Sequence, residues 1–346
     1  MQRKVRYCSC LMLSIMLTLL VCTSACRKRS SEQSPSHRHE NLPGMSDSLS
    51  PIRFRPKWHP QAQFSGVYMA RKMGFYEDFG LKLDLQPVVT DQQSIDSLLA
   101  GKGDVIHIDL LSALNLNRDS TVVVNIAQIS QKSPIWLVGR KSRGIRSLQD
   151  FQGKKLGMWR SGSNLITQTF LKDHNIQMEI VPIDWSINLF TQQVVDVINV
   201  MQYNEYHQLL QSGIPEDDLF VLSMDQPQYN IPDEGFYVRA DFYQQNQALC
   251  EDFAEATMDG WTYAITHPQE TITEVLRIMQ EARIRANSAH QSWMLNQMKD
   301  ILMANPDNFG RLSKTDFDNA LKIMQQTGKI TRNISYEEFY PRAKPR

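Results

Sequence analysis

One stretch of the sequence joins a predicted buried strand to side chains that could bind a small molecule. Residues 194–201 (VVDVINVM) are mostly apolar and predict a strand, and Tyr203, Asn204 and Glu205 follow it directly. In open α/β sheets, ligands bind beyond the carboxyl ends of the strands. A carboxylate flanked by tyrosines and an amide could there hold a flat, nitrogen-rich molecule. A polar loop before a helix that starts near Leu209 is the alternative left open.

Other side chains could face the same ligand. Trp58 ends the first predicted strand, where pockets form. Residues 161–163 precede a predicted helix, whose free N–H groups could hold an anion such as phosphate or sulfonate. An ordinary N-cap by Ser163 or Asn164 is the simpler interpretation, and a lone histidine is more often structural than ligand-binding. The predicted ligand-contacting residues are Glu205, Asn204, Tyr203, Trp58, His59, His107, Ser161, Gly162 and Ser163.

The N-terminal region is predicted to lie outside the folded part. Residues 1–26 have a basic start, an uncharged apolar run and small residues before Cys26, a pattern typical of a secretory signal. The ending resembles the lipobox of bacterial lipoproteins, in which Cys26 would be lipidated, although Thr23 stands where an apolar residue is usual. A single membrane-spanning helix is the alternative. Residues 27–50 are polar and predict a flexible tether. We therefore expect a membrane-anchored protein of the cell envelope, facing the periplasm or exterior.

Composition excludes several classes of partner and site. The chain has 37 basic and 37 acidic residues, and no basic tract follows the leader, so we expect no nucleic-acid partner. Four of the five cysteines lie within the first 26 residues. Cys250 is left alone, which rules out an internal disulfide or a cysteine-rich metal site in the remaining chain. Its helical context predicts a small core residue.

Strand and helix patterns alternate along most of the chain, which predicts an α/β fold with mostly parallel sheets. Residues 51–139 plus 234–346 are predicted to form lobe 1, and residues 140–233 lobe 2. The ligand would lie in the cleft between them, with a hinge where the chain crosses near Gly139 and Asp233. The C-terminal part predicts four helices, at residues 249–265, 270–283, 289–303 and 314–326.

Several segments, taken in order, resemble one family of proteins. They are GVYMARKMGFYEDFGLKLDL after Trp58, then LLAGKGDVIHI, NIAQISQKSPIWLV, GIRSLQDFQGKKLGM, VVDVINVMQYNEYHQLL and DEGFYVR. The family is the substrate-binding family that includes periplasmic receptors for alkanesulfonates and thiamine pyrimidines, and the eukaryotic thiamine pyrimidine synthases. MQYNEYHQLL is most similar to the pyrimidine branch.

The resemblance implies a type II periplasmic-binding-protein fold, with two α/β lobes joined by a two-strand hinge around a cleft. It implies capture of a thiamine-precursor pyrimidine and its delivery to the permease of an ABC transporter. By this likeness Glu205 would hydrogen-bond the aminopyrimidine, and Trp58 or a tyrosine would stack on its ring.

The same resemblance leaves an enzyme as the alternative, a thiamine pyrimidine (HMP-phosphate) synthase. That branch consumes its own histidine and pyridoxal phosphate, and it uses iron and a cysteine-rich motif. In this sequence the lysine and histidine positions fall at Ile108 and Ser112, and residues 164–249 contain no cysteine. We therefore expect a binding protein without cofactor or metal. A sensor ectodomain with the same fold is a third possibility.

Overall fold

The computed structural model describes residues 49–87, 90–159, 161–184 and 186–343. The predicted signal segment, nearly all of the predicted tether and Cys26 lie outside the described residues. Within those ranges, no helix is both long and apolar enough to cross a membrane.

The predicted alternation of strands and helices is present. The strands are β1 (Ser50–Arg55), β2 (Leu81–Leu85), β3 (Val105–Asp109), β4 (Val123–Gln128), β5 (Ile135–Arg140), β6 (Lys155–Met158), β7 (Glu179–Pro182), β8 (Val197–Met201), β9 (Leu219–Ser223) and β10 (Glu234–Arg239). The helices are α1 (Ser65–Met73), α2 (Phe75–Asp78), α3 (Asp91–Leu99), α4 (Leu110–Leu116), α5 (Asn164–Asp173), α6 (Asn188–Thr191), α7 (Glu205–Gln211), α8 (Ala240–Gln245), α9 (Gln247–Thr266), α10 (Pro268–Glu281), α11 (Ser288–Leu302), α12 (Lys314–Gln326) and α13 (Tyr336–Phe339). Short 3-10 turns occupy Ala62–Phe64, Lys141–Arg143, Leu148–Phe151, Glu216–Asp218, Pro306–Asn308 and Pro341–Ala343.

The described strands form two five-stranded sheets. The first has the order β2-β1-β3-β10-β4 and the second the order β7-β6-β8-β5-β9. In the first sheet β1 pairs in parallel with β2 and β3, whereas β10 is antiparallel to β3 and β4. In the second, β6 is parallel to β7 and β8, whereas β5 is antiparallel to β8 and β9. The chain passes from the first sheet into β5 and from the second sheet back into β10, and these are the two antiparallel strands. The predicted two-lobe α/β fold is confirmed.

One predicted boundary differs from the strand pairing. The strand Ile135–Arg140 pairs entirely within the second sheet, so the first crossing lies at residues 129–134 rather than near Gly139. The crossing was expected near Gly139 because charged residues follow it in the sequence. Gly139 is a strand residue whose missing side chain leaves room for Ile145, since an added Cβ would lie 2.4 Å from Ile145 Cγ2. The second crossing lies at residues 224–233, between β9 and β10.

The crossing of α1 and α9 has no room for a side chain at Gly66 or Gly260. A Cβ added at Gly66 would lie 2.3 Å from Trp261 Cδ1, and one added at Gly260 would lie 2.0 Å from the Gly66 carbonyl oxygen. Cys250 is fully buried in α9 and unpaired, in agreement with its predicted role as a small core residue. The close approach fixes α1, and with it the chain that precedes α1 at residues 57–63.

We predict that Gly260→Ala lowers the free energy of unfolding by about 2 kcal/mol or more, because the new methyl group meets backbone that cannot move aside. Thr262→Ala, at an exposed position of the same helix, should change it by less than about 0.5 kcal/mol. Urea denaturation followed by circular dichroism measures both values. Equal stability of the Gly260→Ala protein and the wild type would contradict this account of the crossing.

Candidate ligand-binding site

A cavity of about 350 Å³ lies between the two sheets, and residues from both line it. Its walls follow the carboxyl ends of β1 and β3 in one sheet and of β6, β7 and β8 in the other, the edge at which open α/β sheets hold ligands. The lining residues are Lys57, Trp58, Gln61, Gln63, Thr90, Gln92, Asp109, Trp159, Ser161, Ser163, Ile183, Asp184, Met201, Tyr203, Asn204 and Glu205.

Six of the nine predicted ligand-contacting residues meet at this cavity. They are Trp58, Ser161, Ser163, Tyr203, Asn204 and Glu205. His107 does not line it, because its ring is only 1% exposed and lies between Phe64 and Phe236, at ring-centre distances of 5.4 and 5.1 Å. His59 instead packs edge-on to Trp58, with ring centres 5.8 Å apart.

Glu205 lies in the first turn of α7 rather than in a loop, because this helix begins four residues before the apolar pair that predicted it. Two donors fix its carboxyl group. The Met201 N–H donates to Oε2 at 3.0 Å and the Asn204 amide to Oε1 at 2.8 Å. Burial outweighs these hydrogen bonds and raises the pKa of Glu205 to about 7. Near neutral pH this group is therefore able to accept or to donate a hydrogen bond.

Asn204 is held by a chain of contacts that reaches the C-terminal helices. His290 Nε2, on α11, lies 3.0 Å from Asn204 Oδ1, and His290 Nδ1 lies 2.9 Å from His207 Nδ1 on α7. The indole of Trp293 stacks on the His207 ring at 4.8 Å. Burial, reinforced by His207, lowers the pKa of His290 to about 4, so its ring is neutral. These contacts leave the Asn204 amide nitrogen directed at Glu205.

A buried ion cluster forms one wall of the cavity, and the sequence did not predict it. Lys57 Nζ lies 2.9 Å from Asp233 Oδ2 and 3.2 Å from Glu234 Oε1, and Glu234 is fully buried. Burial disfavours the charge of Lys57, but the two carboxylates outweigh it and raise the Lys57 pKa well above its usual value. Tyr203 donates a 3.0 Å hydrogen bond to Glu234, and the Gln63 amide also donates to this carboxylate.

Residues 161–163 contact the first sheet across the cavity. Ser163 Oγ donates to Asp233 Oδ1 at 2.6 Å and makes no cap to its own helix. A Cβ at Gly162 would lie 2.8 Å from Asp109 Oδ1. The anion that these residues were considered able to hold would therefore face two carboxylates, which disfavours it. The Ser163 side chain also makes no N-cap hydrogen bond, because the backbone of Ser163 is already helical (φ −59°, ψ −19°) rather than extended.

The described residues contain no group of three or more His, Cys, Asp or Glu side chains arranged to hold a metal ion. Ile108, at the position of the synthase lysine, is fully buried in β3. Ser112 contributes its main-chain N–H to Asp109 Oδ1 at 2.8 Å.

We predict that Glu205→Gln stabilises the ligand-free protein at pH 8. Since burial raises the pKa of Glu205 from 4.5 to about 7, the folded protein retains a proton that the unfolded chain has lost. The retained proton stabilises the folded protein. This stabilisation is complete below pH 4.5 and is lost as the pH rises through 7. The partly buried amide avoids that loss, so we expect a gain of about 1 kcal/mol at pH 8 and little change at pH 4.5. Thermal melts at both pH values measure it, with the exposed Glu179→Gln as control. Equal shifts at both pH values would contradict the assignment.

Comparisons with known proteins agree with this fold. Residues 61–271 match the model of the family described as NMT1/THI5 like. The chain is similar to YtlA of Bacillus subtilis strain 168, described as a binding protein, with 20% identity over 293 residues, covering 80% of this chain and 83% of YtlA.

Two solved structures illustrate the shared architecture. One is the periplasmic aliphatic sulphonate binding protein SsuA from Escherichia coli, with a TM-score of 0.63 and 11% identity, covering 85% of this chain and 92% of that chain. The other is the periplasmic nitrate-binding protein NrtA from Synechocystis PCC 6803, with a TM-score of 0.62 and 12% identity, covering 84% of each chain. At these identities the likeness shows the fold. The family match spans more than half of the sequence, and the chain therefore belongs to the NMT1/THI5-like family.

Proposed function

We propose that this chain is an extracytoplasmic solute-binding protein of an ABC importer, and that it captures an aminopyrimidine of the thiamine-precursor type. The observation that carries the proposal is the Glu205 carboxyl group, held by two donors at a cavity between two sheets. The cavity is large enough for a small heterocycle.

The chemistry of Glu205 suits an aminopyrimidine edge. Such an edge presents an amino donor beside a ring nitrogen acceptor. A carboxyl group whose pKa is about 7 can accept from the amino group and donate to the ring nitrogen. Trp58 from one side of the cavity and Trp159 from the other are available to stack on the ring.

The charges of the cavity favour such a ligand over an anion. SsuA and NrtA are named for sulphonate and nitrate. Here the cation among the described lining residues is Lys57, which already contacts Asp233 and Glu234. Asp109, Asp184 and Glu205 also line the cavity.

We propose capture rather than catalysis as the mechanism. The contacts of residues 161–163 with Asp233 and Asp109 join the two sheets across the cavity, so that closure seals the ligand from water. In this proposal a lipid on Cys26 holds the receptor beside its permease. The synthase alternative needs an amine at position 108, where a buried isoleucine stands, and we expect no pyridoxal absorbance from the purified protein.

We predict that Glu205→Ala weakens binding of 4-amino-5-hydroxymethyl-2-methylpyrimidine at least about tenfold, because the amino group of the ligand loses its acceptor and the ring nitrogen loses its donor. Isothermal titration calorimetry measures the affinity. Glu179→Ala removes the same charge from an exposed position of β7 and should leave the affinity within about twofold. Unchanged affinity in the Glu205→Ala protein would remove this residue from the site.

Closure is tested at Gly162. We predict that Gly162→Val weakens the same binding at least about tenfold, since a side chain there collides with Asp109 and Ser112 and holds the lobes apart. Small-angle scattering should then show less compaction on adding ligand than the wild type shows. Gln192→Val, at an exposed position of the second lobe, serves as control. Wild-type affinity and compaction in the Gly162→Val protein would contradict closure at this contact.

A further inference from the structure

A second carboxylate faces the cavity from the sheet opposite Glu205. Asp109 is the last residue of β3, lines the cavity and is 3% exposed. The hydrogen bonds described at this carboxylate come from Ser112, whose main-chain N–H donates to Oδ1 at 2.8 Å. A carboxylate can accept about four hydrogen bonds. The Asp109 carboxylate caps α4 and can still accept further hydrogen bonds from a ligand.

The surroundings of Asp109 leave its charge poorly compensated. Burial, followed by the neighbouring Asp233, raises the pKa of Asp109 to about 6, and Lys57 opposes this only in part. Lys57 is itself 2.9 Å from Asp233 and 3.2 Å from Glu234. Gly162 packs over Asp109 from the second lobe and brings no side chain to pair with it. At neutral pH a negative charge therefore lies at the cavity without a dedicated cation among the described residues.

The two carboxyl groups belong to different lobes. Glu205 begins α7 after β8 of the second sheet, whereas Asp109 ends β3 of the first. A ligand that engages both would cross the cavity and draw the lobes together. A ligand with only one hydrogen-bonding edge could engage only one of the two carboxyl groups, and the other would face the closed cavity without a ligand partner.

We infer that Asp109 is a specificity-determining residue that binds a positively charged substituent of the ligand, so that the preferred solute is an aminopyrimidine with a cationic arm. The inference rests on the proposed function, because Glu205 is taken to hold the pyrimidine edge. It also predicts that a phosphorylated arm, which would bring an anion to Asp109, is rejected.

Two probes that differ in one group test the inference. They are 4-amino-5-aminomethyl-2-methylpyrimidine, whose arm is a cation at neutral pH, and the 5-hydroxymethyl compound, whose arm is neutral. Calorimetry at pH 7.5 gives the ratio of their Kd values for the wild type, Asp109→Asn and Asp119→Asn. Asparagine caps a helix as well as aspartate, so α4 is retained in the first variant. Asp119 is exposed just beyond the other end of α4 and provides the matched loss of charge.

We expect the wild type to bind the aminomethyl compound at least tenfold more tightly than the hydroxymethyl compound. Asp109→Asn should bring the ratio close to one, and Asp119→Asn should leave it unchanged. A wild-type ratio near one overturns the inference even if the asparagine variant does not fold, and so does a tenfold ratio that survives Asp109→Asn. In both of those results the proposed function stands, because the pyrimidines still bind. Binding of neither probe to the wild type would overturn the proposed function and this inference together.

Discussion

The buried ion cluster around Asp233 is the interaction on which the geometry of the cavity depends. Its carboxylate accepts from Lys57 at 2.9 Å and from Ser163 at 2.6 Å. Its main-chain oxygen accepts from the Leu110 N–H at 2.8 Å. These three partners come from the end of β1, the start of α5 and the start of α4, so one residue at the second crossing joins both lobes. Replacing a buried ion pair by apolar groups is often neutral or stabilising, and we interpret this cluster as a means of fixing geometry rather than of adding stability.

Glu234, the residue after Asp233, connects the same ion cluster to side chains that face the cavity. Glu234 is fully buried, accepts from Tyr203 at 3.0 Å, and lies 3.6 Å from His107 Nε2. Burial disfavours the charge of His107, and Lys57 disfavours it further, so its pKa is well below the usual value. His107 therefore packs as a neutral ring and adds no positive charge. The charge of Lys57 is thus already paired within the cluster in the ligand-free protein. The carboxyl groups of Glu205 and Asp109 therefore determine which charges a ligand meets in the cavity.

Much of the fold could be predicted from the sequence, because strands and helices leave local patterns. The helix 314–326 was predicted at the residues that it occupies, and the polar cluster at residues 203–205 was correctly placed after a buried strand. The first crossing, expected near Gly139, could not be placed in this way. Gly139 lies in β5 and its missing side chain makes room for Ile145, and no local pattern reports such tertiary packing.

The site was predicted only where its residues share one segment. Lys57 and Asp233 are 176 positions apart, so nothing in the local sequence joins them. Asp109 is the carboxylate at the end of β3, but His107, two residues before it, was the residue predicted to contact the ligand. The two side chains share one face of β3. His107 packs among aromatic rings, whereas Asp109, as the last residue of the strand, reaches the cavity.

The central claim is that this cavity selects a heterocycle rich in hydrogen-bond donors over an anion. Calorimetric titration of the wild-type protein with 4-amino-5-hydroxymethyl-2-methylpyrimidine and, separately, with ethanesulfonate tests it most directly. The account predicts saturable binding of the pyrimidine and no measurable binding of ethanesulfonate at the same concentrations. Saturable binding of ethanesulfonate without binding of the pyrimidine would contradict it.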